Sequence, residues 1–281
     1  MPSPSLLSVP AVTDPTPRRL PGDVVLLPHV EPFAAAHGMA ANAYALLHAG
    51  GAVLVDAPFA DLLPALAALA DAGHPPAALV LTHRHVAAQA DALADVLRAA
   101  GGIPVYLHPA DAAHPQGAAA ARRWGVRFAD PLAEPGLAAG AAWDAEVLAF
   151  PGHTAGHVAL YRAAAGGVLV TGDAAMGPSV AEAAAGRAGV VRPPVTLSED
   201  DGAIRRAWER FDRPLAVIAP YHGQPLAGPP AALERARVVL RRVAGTRDVG
   251  LGATDLGADD RGAEIGGEIR DDPTARPVRT T

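Results

Sequence analysis

The chain has 281 residues, of which 50% are hydrophobic and 19% charged, and its net charge at pH 7 is −6. This length and composition fit a globular protein with one large domain and a substantial core. The acidic balance, without a cluster of basic residues, argues against nucleic acid as a partner.

The chain contains no cysteine, which excludes disulfides and thiolate ligands. Any transition metal must therefore be held by imidazole and carboxylate groups. The proline-rich start lacks the basic and apolar regions of a signal peptide, and no apolar run approaches the roughly 18 residues of a membrane span. We expect a cytoplasmic protein that binds neither membrane nor nucleic acid.

The first part of the chain alternates short apolar segments with Gly and Pro, which is typical of consecutive strands. Strands are predicted at 24–27, 43–47, 52–55 and 78–81. Between the last two, Leu62, Leu66 and Leu69 recur at helical spacing, and Gly73 ends this helix. The strand at 78–81 leads directly to two histidines.

The second part continues with a predicted helix at 86–100 and a strand at 105–107, whereas 109–140 gives no clear pattern. Further strands are predicted at 146–150, 158–162 and 167–171, with a hairpin turn at Gly166-Gly167. A helix that starts near Ser198, with a sequence similar to a capping box, and a last amphipathic helix over Leu233–Val243 follow.

Domain limits are predicted from the ends of these elements. We assign residues 1–20 to a flexible N-terminal segment and 21–245 to one domain. The remainder, 246–281, is rich in Gly, Asp and Glu and poor in large apolar residues. Such a segment cannot bury enough surface to offset its ordering entropy, so we expect a disordered tail.

Histidines follow two of the predicted strands. His83 and His85 come after 78–81, and residues two apart at a strand end point the same way, so both imidazoles can face one point. His153 follows the strand at 146–150 in the same manner. A lone His-x-His pair is often two unrelated histidines, but strand ends that meet in loops are where binding sites occur.

Several motifs occur in a fixed order over about residues 21–244. They are Asn42 with Tyr44, Val53-Leu54-Val55-Asp56, Thr82-His83-Arg84-His85, Pro151-Gly152-His153-Thr154-Ala155-Gly156-His157, Thr171-Gly172-Asp173 and His222-Gly223. This order resembles the metallo-β-lactamase superfamily, particularly its glyoxalase II-like hydrolases. The resemblance implies an α/β protein with an αββα sandwich and a metal site at one edge, between two sheets.

By position, the resemblance assigns His83, His85 and His153 as ligands of a first metal. Asp173 matches the carboxylate that bridges two metals, and His222 matches a ligand of the second. Asp56 and His157 match residues that organise the site through hydrogen bonds. The chain departs from the family pattern at Ala87 and Ala88, where an acid and a histidine normally bind the second metal.

With only Asp173 and His222 left, a second metal would have too few protein ligands. We therefore predict one Zn²⁺ per chain, with Fe²⁺ or Mn²⁺ as alternatives, which lowers the pKa of a bound water toward about 7 and supplies hydroxide. The predicted activity is hydrolysis of a small-molecule ester, thioester, lactone, amide or phosphoester. His222 would act as a general base or hold the substrate, and Arg84 faces solvent or binds an anionic substrate.

Two other functions stay open at this point. His83, His153 and Asp173 form a two-histidine, one-carboxylate set that suits Fe(II), as in the persulfide dioxygenases of the same superfamily. Alternatively, the two alanines mark a protein that has lost catalysis and keeps a metal or a pocket for binding. A homodimer is compatible with the sequence.

Overall fold

The structure is a computed structural model that describes residues 7–8, 16–134, 143–187 and 189–242. The predicted tail at 246–281 and the end of the last predicted helix at Val243 lie outside the described residues. The first two described residues, Leu7–Ser8, form a short strand that pairs with Leu226–Ala227 near the end of the domain.

Within the described residues, two six-stranded sheets form the centre of the molecule. In chain order the strands are β1 (Leu7–Ser8), β2 (Arg18–Leu20), β3 (Val24–His29), β4 (Ala41–His48), β5 (Gly51–Val55), β6 (Pro76–Val80), β7 (Val105–Tyr106), β8 (Glu146–Ala149), β9 (Val158–Arg162), β10 (Val168–Gly172), β11 (Val217–Pro220) and β12 (Leu226–Ala227). The first sheet has the order β2-β3-β4-β5-β6-β7, and the second has the order β1-β12-β11-β10-β9-β8. The pairs β5–β6, β6–β7 and β10–β11 are parallel.

Helices cover the outer faces of both sheets. They are α1 (Pro32–Ala36), α2 (Leu63–Asp71), α3 (Arg84–Gln89), α4 (Leu93–Ala99), α5 (Pro109–Ala113), α6 (Pro115–Trp124), α7 (Val180–Ala184), α8 (Asp201–Arg210) and α9 (Pro230–Arg241). No helix within the described ranges is long and apolar enough to cross a membrane.

The strands are apolar on both faces because each sheet is covered twice. In β3, Val24 and Leu26 pack between the two sheets, whereas Val25 and Leu27 face the helices of the first outer layer. In β10, Val170 points into the same central cluster and Leu169 packs under helices α8 and α9. Successive side chains of a strand point to opposite faces, so this pattern fixes four layers. The predicted αββα sandwich is confirmed.

The structure differs from the prediction at the helix of 86–100, which is two helices, α3 and α4. At Ala90 the backbone leaves the helical region, with a ψ of 126°, and ends α3. Asp91 follows and accepts a hydrogen bond from the backbone N–H of Ala60, which ties this break to the segment before α2. The break lets α3 stay short and keep its N-terminal end, with His85, at the sheet edge.

Three other local differences between prediction and structure come from contacts that the sequence pattern does not reveal. Helix α8 is capped by Asp200, whose carboxylate accepts a hydrogen bond from the backbone N–H of Ala203, rather than by Ser198. The unassigned middle segment contains α5 and α6, each with a proline in its first turn. Arg18–Leu20 pairs with β3, so regular structure begins before the predicted limit at residue 21.

Candidate metal centre

The predicted site residues lie where strands of both sheets end. His83 follows β6 and precedes α3, and His85 lies in the first turn of α3. The prediction placed both histidines at a strand end, but His85 belongs to a helix. His153 lies in the loop between β8 and β9. Asp173 follows β10, and His222 follows β11, its parallel neighbour. The fold therefore brings residues that are up to 139 positions apart to one edge of the sandwich.

His83, His85 and His153 form a group that could hold a metal ion, with one nitrogen of each within 4.8 Å of the others. His85 Nδ1 lies 3.0 Å from His153 Nε2. One oxygen of Asp173, Oδ2, lies 3.5 Å from both His83 Nε2 and His153 Nε2. Donor atoms that bind one zinc ion at about 2.0–2.2 Å stand roughly 2.8–3.6 Å apart in four- and five-coordinate sites. These donor spacings therefore suit a single ion.

The protonation of the three imidazoles also suits a metal. Burial lowers the pKa of His83 well below its usual value, lowers that of His85 to about 4 and lowers that of His153. All three are neutral at pH 7, the form that binds metals. Within the described residues, the buried Nε2 atom of His83 has no hydrogen-bond partner. An orphaned buried nitrogen beside a carboxylate fits a ligand.

Asp56 organises His83 through Thr82, as predicted from the resemblance. Asp56 accepts hydrogen bonds of 2.7 Å from both the backbone N–H and the hydroxyl of Thr82. The Thr82 hydroxyl oxygen, whose own proton is donated to Asp56, lies 3.0 Å from His83 Nδ1 and accepts a hydrogen bond from Nδ1–H. This arrangement places the proton on Nδ1 and leaves the lone pair of Nε2 directed at the centre. Asp56 holds an unusual φ of +54° to reach this position.

His157 is a hydrogen-bonding partner of the site, also as predicted. Burial lowers its pKa to about 3, so its neutral Nε2 accepts a 3.1 Å hydrogen bond from the backbone N–H of Asp173. Gly172 makes this contact possible. Its φ is +50°, and a Cβ atom there would lie 2.5 Å from the Thr82 hydroxyl and 2.7 Å from His157 Nε2.

Asp111 is a buried residue of the site that sequence analysis missed. Its carboxylate accepts hydrogen bonds from the backbone N–H of Arg84, at 2.9 Å, and of Gly156, at 3.1 Å. It also accepts one from the Thr154 hydroxyl, at 2.6 Å. One carboxylate thus ties the loop of His83 and His85 to the loop of His153. It lies in the middle segment that had no clear pattern, where no signal distinguished it.

Arg84 does neither of the two things predicted for it. Its side chain is buried, with 7% exposed, and its guanidinium pairs with Asp111, at 3.1 Å, and with Glu199. It also donates a hydrogen bond to the side chain of Gln116. The arginine is therefore part of the scaffold beneath the histidines and neither faces solvent nor points toward the pocket.

The side of the site where a second metal would bind is arranged differently. His222 Nδ1 lies 2.9 Å from Asp173 Oδ1, and His222 Nε2 lies 3.4 Å from Glu31 Oε2. Glu31 precedes α1 and accepts hydrogen bonds from the backbone N–H groups of Phe33 and Ala34. The two carboxylates thus hold opposite nitrogens of one imidazole, and sequence analysis missed Glu31.

The two alanines do not contribute to this side. Ala87 is fully buried in the apolar cluster between the first sheet and its helices, and Ala88 is half-buried. His222 itself is held by the first sheet. Asn42 donates hydrogen bonds to the carbonyls of Pro220 and Gly223, and the Tyr44 hydroxyl donates to that of Pro220.

The electrostatics of this side follow from its two carboxylates. Burial by itself would lower the pKa of His222, but attraction and hydrogen bonds to Asp173 and Glu31 raise it to about 10. Burial would raise the pKa of Asp173, yet His222 and the nearby imidazoles hold it well below its usual range. Without a metal, His222 is thus protonated at pH 7 and cannot accept a proton as a general base.

A pocket of about 170 Å³ opens beside these residues. Its lining includes His83, His85, His153, Asp173 and His222. The other lining residues are Phe33, Gln89, Met176, Pro193 and Leu197. His37 is exposed and lies outside this lining, but its Nδ1 contacts the Phe33 carbonyl and its ring packs on the ring of Phe33 with centroids 4.3 Å apart.

No protein-family model matches the chain, and no curated protein matches it. Solved structures do match. The metallo-β-lactamase from Erythrobacter litoralis has a TM-score of 0.55 and 17% identity, over 80% of this chain and 95% of that one.

Two further structures give the same result. The metallo-β-lactamase from Hirschia baltica has a TM-score of 0.53 and 19% identity, over 81% of this chain and 98% of that one. The metallo-β-lactamase from Pontibacter korlensis has a TM-score of 0.53 and 17% identity, over 81% of this chain and 99% of that one. Together with the two sheets and the histidine group, these similarities show that the chain has the metallo-β-lactamase fold.

Proposed function

We propose that this protein is a metal-dependent hydrolase that works with one metal ion, most simply Zn²⁺, on a small-molecule ester, thioester, lactone, amide or phosphoester. The observation that carries the proposal is the convergence of His83, His85 and His153, with Asp173, on one point of a pocket. A metal at that point would lower the pKa of its water toward about 7 and so supply hydroxide at neutral pH.

The arrangement around His222 supports one metal rather than two. A second ion would need several donors that face one point, but Asp173 and Glu31 lie on opposite nitrogens of the His222 ring. Ala87 and Ala88 carry no donor atoms. The charge of a protonated His222 would instead lie close to the reacting group, where it stabilises negative charge that develops during hydrolysis.

Each residue of the site would have a distinct task. His83, His85 and His153 bind the metal as neutral imidazoles, and Asp173 completes the set while it also orients His222. Thr82 and Asp56 fix the tautomer of His83. The structure favours a proton donor or a positive charge at His222 over the general base predicted from sequence, because two carboxylates hold its proton.

One observation favours a second candidate, an Fe(II) oxygenase. Asp173 Oδ2 is equally distant from His83 Nε2 and His153 Nε2, which is the arrangement of a two-histidine, one-carboxylate iron site. A protein that only binds metal or ligand is the third possibility. Metal content separates these proposals, because zinc is expected for the first and iron for the second.

The test is metal analysis of protein purified without chelator, together with hydrolysis of p-nitrophenyl esters and thioesters. We expect one zinc per chain and activity that is lost with chelator and regained with zinc. His153→Ala should lose both the zinc and the activity, since loss of a residue that merely supports a ligand already costs about 10–100-fold in metal affinity.

His48→Ala is the matched control, because it removes a half-buried imidazole at the end of β4 that does not line the pocket. It should keep the metal and the activity of the unaltered protein. Stoichiometric iron would favour the oxygenase instead. Protein without bound metal, or with hydrolysis that His153→Ala does not change, would contradict both enzymatic proposals.

A further inference from the structure

The part of the pocket away from the histidines is apolar. Phe33, Met176, Pro193 and Leu197 form this wall, and Gln89 is its one uncharged polar side chain. The ring of Phe33 packs edge-on against His222, with centroids 5.4 Å apart. Among the residues that the structure describes, Asp173 is the one carboxylate in the lining, and no arginine belongs to it.

The arginines next to the pocket in sequence are already paired. Arg84 lies between two site histidines, but its guanidinium is held by Asp111 and Glu199. Arg192 precedes Pro193 of the wall, yet its side chain turns to Asp201, with a shortest distance of 2.6 Å, and to the carbonyl of Leu240. A substrate anion would therefore meet no free cation from these neighbours.

The wall is fixed in place at both ends. The backbones of Met176 and Val191 exchange two hydrogen bonds, of 2.8 and 3.0 Å, ahead of Pro193. Beyond Leu197, the backbone N–H of Asp200 donates to the carbonyl of Gly152, at 2.8 Å. Both anchors connect the wall to the loops that carry Asp173 and His153. The apolar surface thus keeps a set position beside the reacting centre.

From this geometry we infer that the pocket binds the uncharged, apolar acyl part of its substrate and excludes substrates with a carboxylate there. The inference rests on the proposed hydrolase function and specifies its substrate class. A bound metal ion would compensate negative charge only at the reacting group of the substrate. A second carboxylate placed at the wall would lose its water and lie near Asp173, and the positive charge of His222 is already balanced by Asp173 and Glu31.

The size of the pocket limits the acyl group. An engineered protein cavity of about 150 Å³ holds benzene, so a pocket of about 170 Å³ accommodates roughly six carbon atoms, including those at the histidines. The substrate class is therefore a neutral ester, thioester, lactone or amide with an acyl chain of about this length. Substrates with an acidic acyl chain are excluded.

Two hydroxamates with the same metal-binding head test the inference. Hexanohydroxamic acid ends in a methyl group, and adipic acid monohydroxamate ends in a carboxylate at the same distance. Calorimetry on the full chain loaded with one equivalent of Zn²⁺ at pH 7 should show at least about tenfold tighter binding of the neutral compound. Equal or reversed affinities would overturn the inference, and if neither hydroxamate binds, equal binding of two amides without a metal-binding head would overturn it.

Two substitutions in one short turn locate the effect. Leu197 is 42% exposed and lines the pocket, whereas Val195, two residues earlier in the 3₁₀ turn Val195–Leu197, is 61% exposed and does not line it. Leu197→Arg should reduce the preference to below about threefold or reverse it, because it supplies the missing cation. Val195→Arg adds the same charge outside the pocket and should leave the tenfold preference unchanged. A similar loss in both variants would contradict the inference.

A metal-free measurement separates this inference from the hydrolase proposal. Hexanamide and adipic acid monoamide lack a metal-binding head, and ligand-observed NMR on the metal-free chain should still favour hexanamide. If this preference appears but no ester is hydrolysed with metal, the proposed activity fails and the apolar pocket stands. If esters are hydrolysed but neither pair shows a preference for the neutral compound, the pocket inference fails alone.

Discussion

The two sides of the pocket are built in opposite ways. On the imidazole side, formed by His83, His85 and His153, burial keeps the rings neutral and leaves the His83 Nε2 atom without a hydrogen bond among the described residues. On the carboxylate side, formed by Glu31, His222 and Asp173, both ring nitrogens of His222 are occupied.

The difference shows what makes a buried histidine available to a metal. On the imidazole side, Thr82 supports the ring of His83 and Asp111 joins the loops that carry the three histidines, so their donors converge. The ring of the carboxylate side lies between two acids that hold its protons. Histidine side chains in the two halves of the site thus differ in function because different hydrogen-bond acceptors surround them. Three sets of substitutions test this difference between the two sides.

The largest effect is expected from Asp111→Ala, which removes the carboxylate that joins the two ligand loops. The change leaves the buried Arg84 with one fewer partner and two backbone N–H groups without an acceptor. Loss of a buried ion-pair partner costs about 3–5 kcal/mol, and we expect about 3 kcal/mol because Glu199 still pairs with Arg84. Denaturant unfolding of the metal-free protein measures the effect.

Asp95→Ala is the matched control for Asp111→Ala. Asp95 forms an exposed pair with Arg98 one turn along α4, and loss of such a pair changes the free energy of unfolding by less than about 1 kcal/mol. Equal stability of the two variants would show that packing alone positions the loops. Weakened metal binding in Asp111→Ala only would place its effect on the imidazole side.

The next effect is expected when the second-metal position is rebuilt. Ala87→Asp with Ala88→His restores the two missing ligands, but Glu31 still holds His222. We therefore expect a second metal to bind well only when Glu31→Gln is added, since the amide releases the ring nitrogen. The added ion should raise ester hydrolysis by about 10²-fold, the usual gain from electrostatic stabilisation of a developing anion.

Metal stoichiometry and initial rates of the double and triple variants provide the measurement. Glu31→Gln alone is the control, and it should keep one metal per chain. A second metal in the double variant, with no further gain on removal of Glu31, would contradict the proposed role of the carboxylate side.

The smallest effect is expected at His29, a buried histidine with no predicted role in metal binding. Its ring stacks on Phe59 with centroids 4.1 Å apart, and burial lowers its pKa to about 4 although Glu31 acts in the opposite direction. Between pH 6.5 and about 4 the unfolded chain takes up a proton that the folded chain refuses. This residue therefore lowers stability as the pH falls through that range.

His29→Phe keeps the stacking and removes the titrating group. Its free energy of unfolding at pH 5, relative to the unaltered protein, should rise by about 1–2 kcal/mol, with little difference above pH 7. Thermal unfolding of the metal-free proteins across this range measures the change, and metal content should not alter. A difference that is the same at pH 5 and pH 8 would mean that packing, and not protonation, is responsible.

The sequence alone determined the fold class and most of the imidazole side. Strands buried on both faces produce apolar runs with turn residues between them, and eight of the twelve described strands were predicted within a few residues, whereas β1, β2, β11 and β12 were missed. His83, His85 and His153 were found because their motifs keep a fixed order and follow strands. The absence of donor atoms at Ala87 and Ala88 was visible for the same reason.

Only the tertiary structure decided the carboxylate side and the supports of the site. Glu31 and Asp111 are single acids in segments with little pattern, and their roles come from contacts that span 191 and up to 45 positions of the chain. Arg84 was misjudged because local sequence does not show which acids meet it in the folded chain. Periodicity records which face of an element is buried, whereas the partner of a buried charge is set by distant segments that folding brings together.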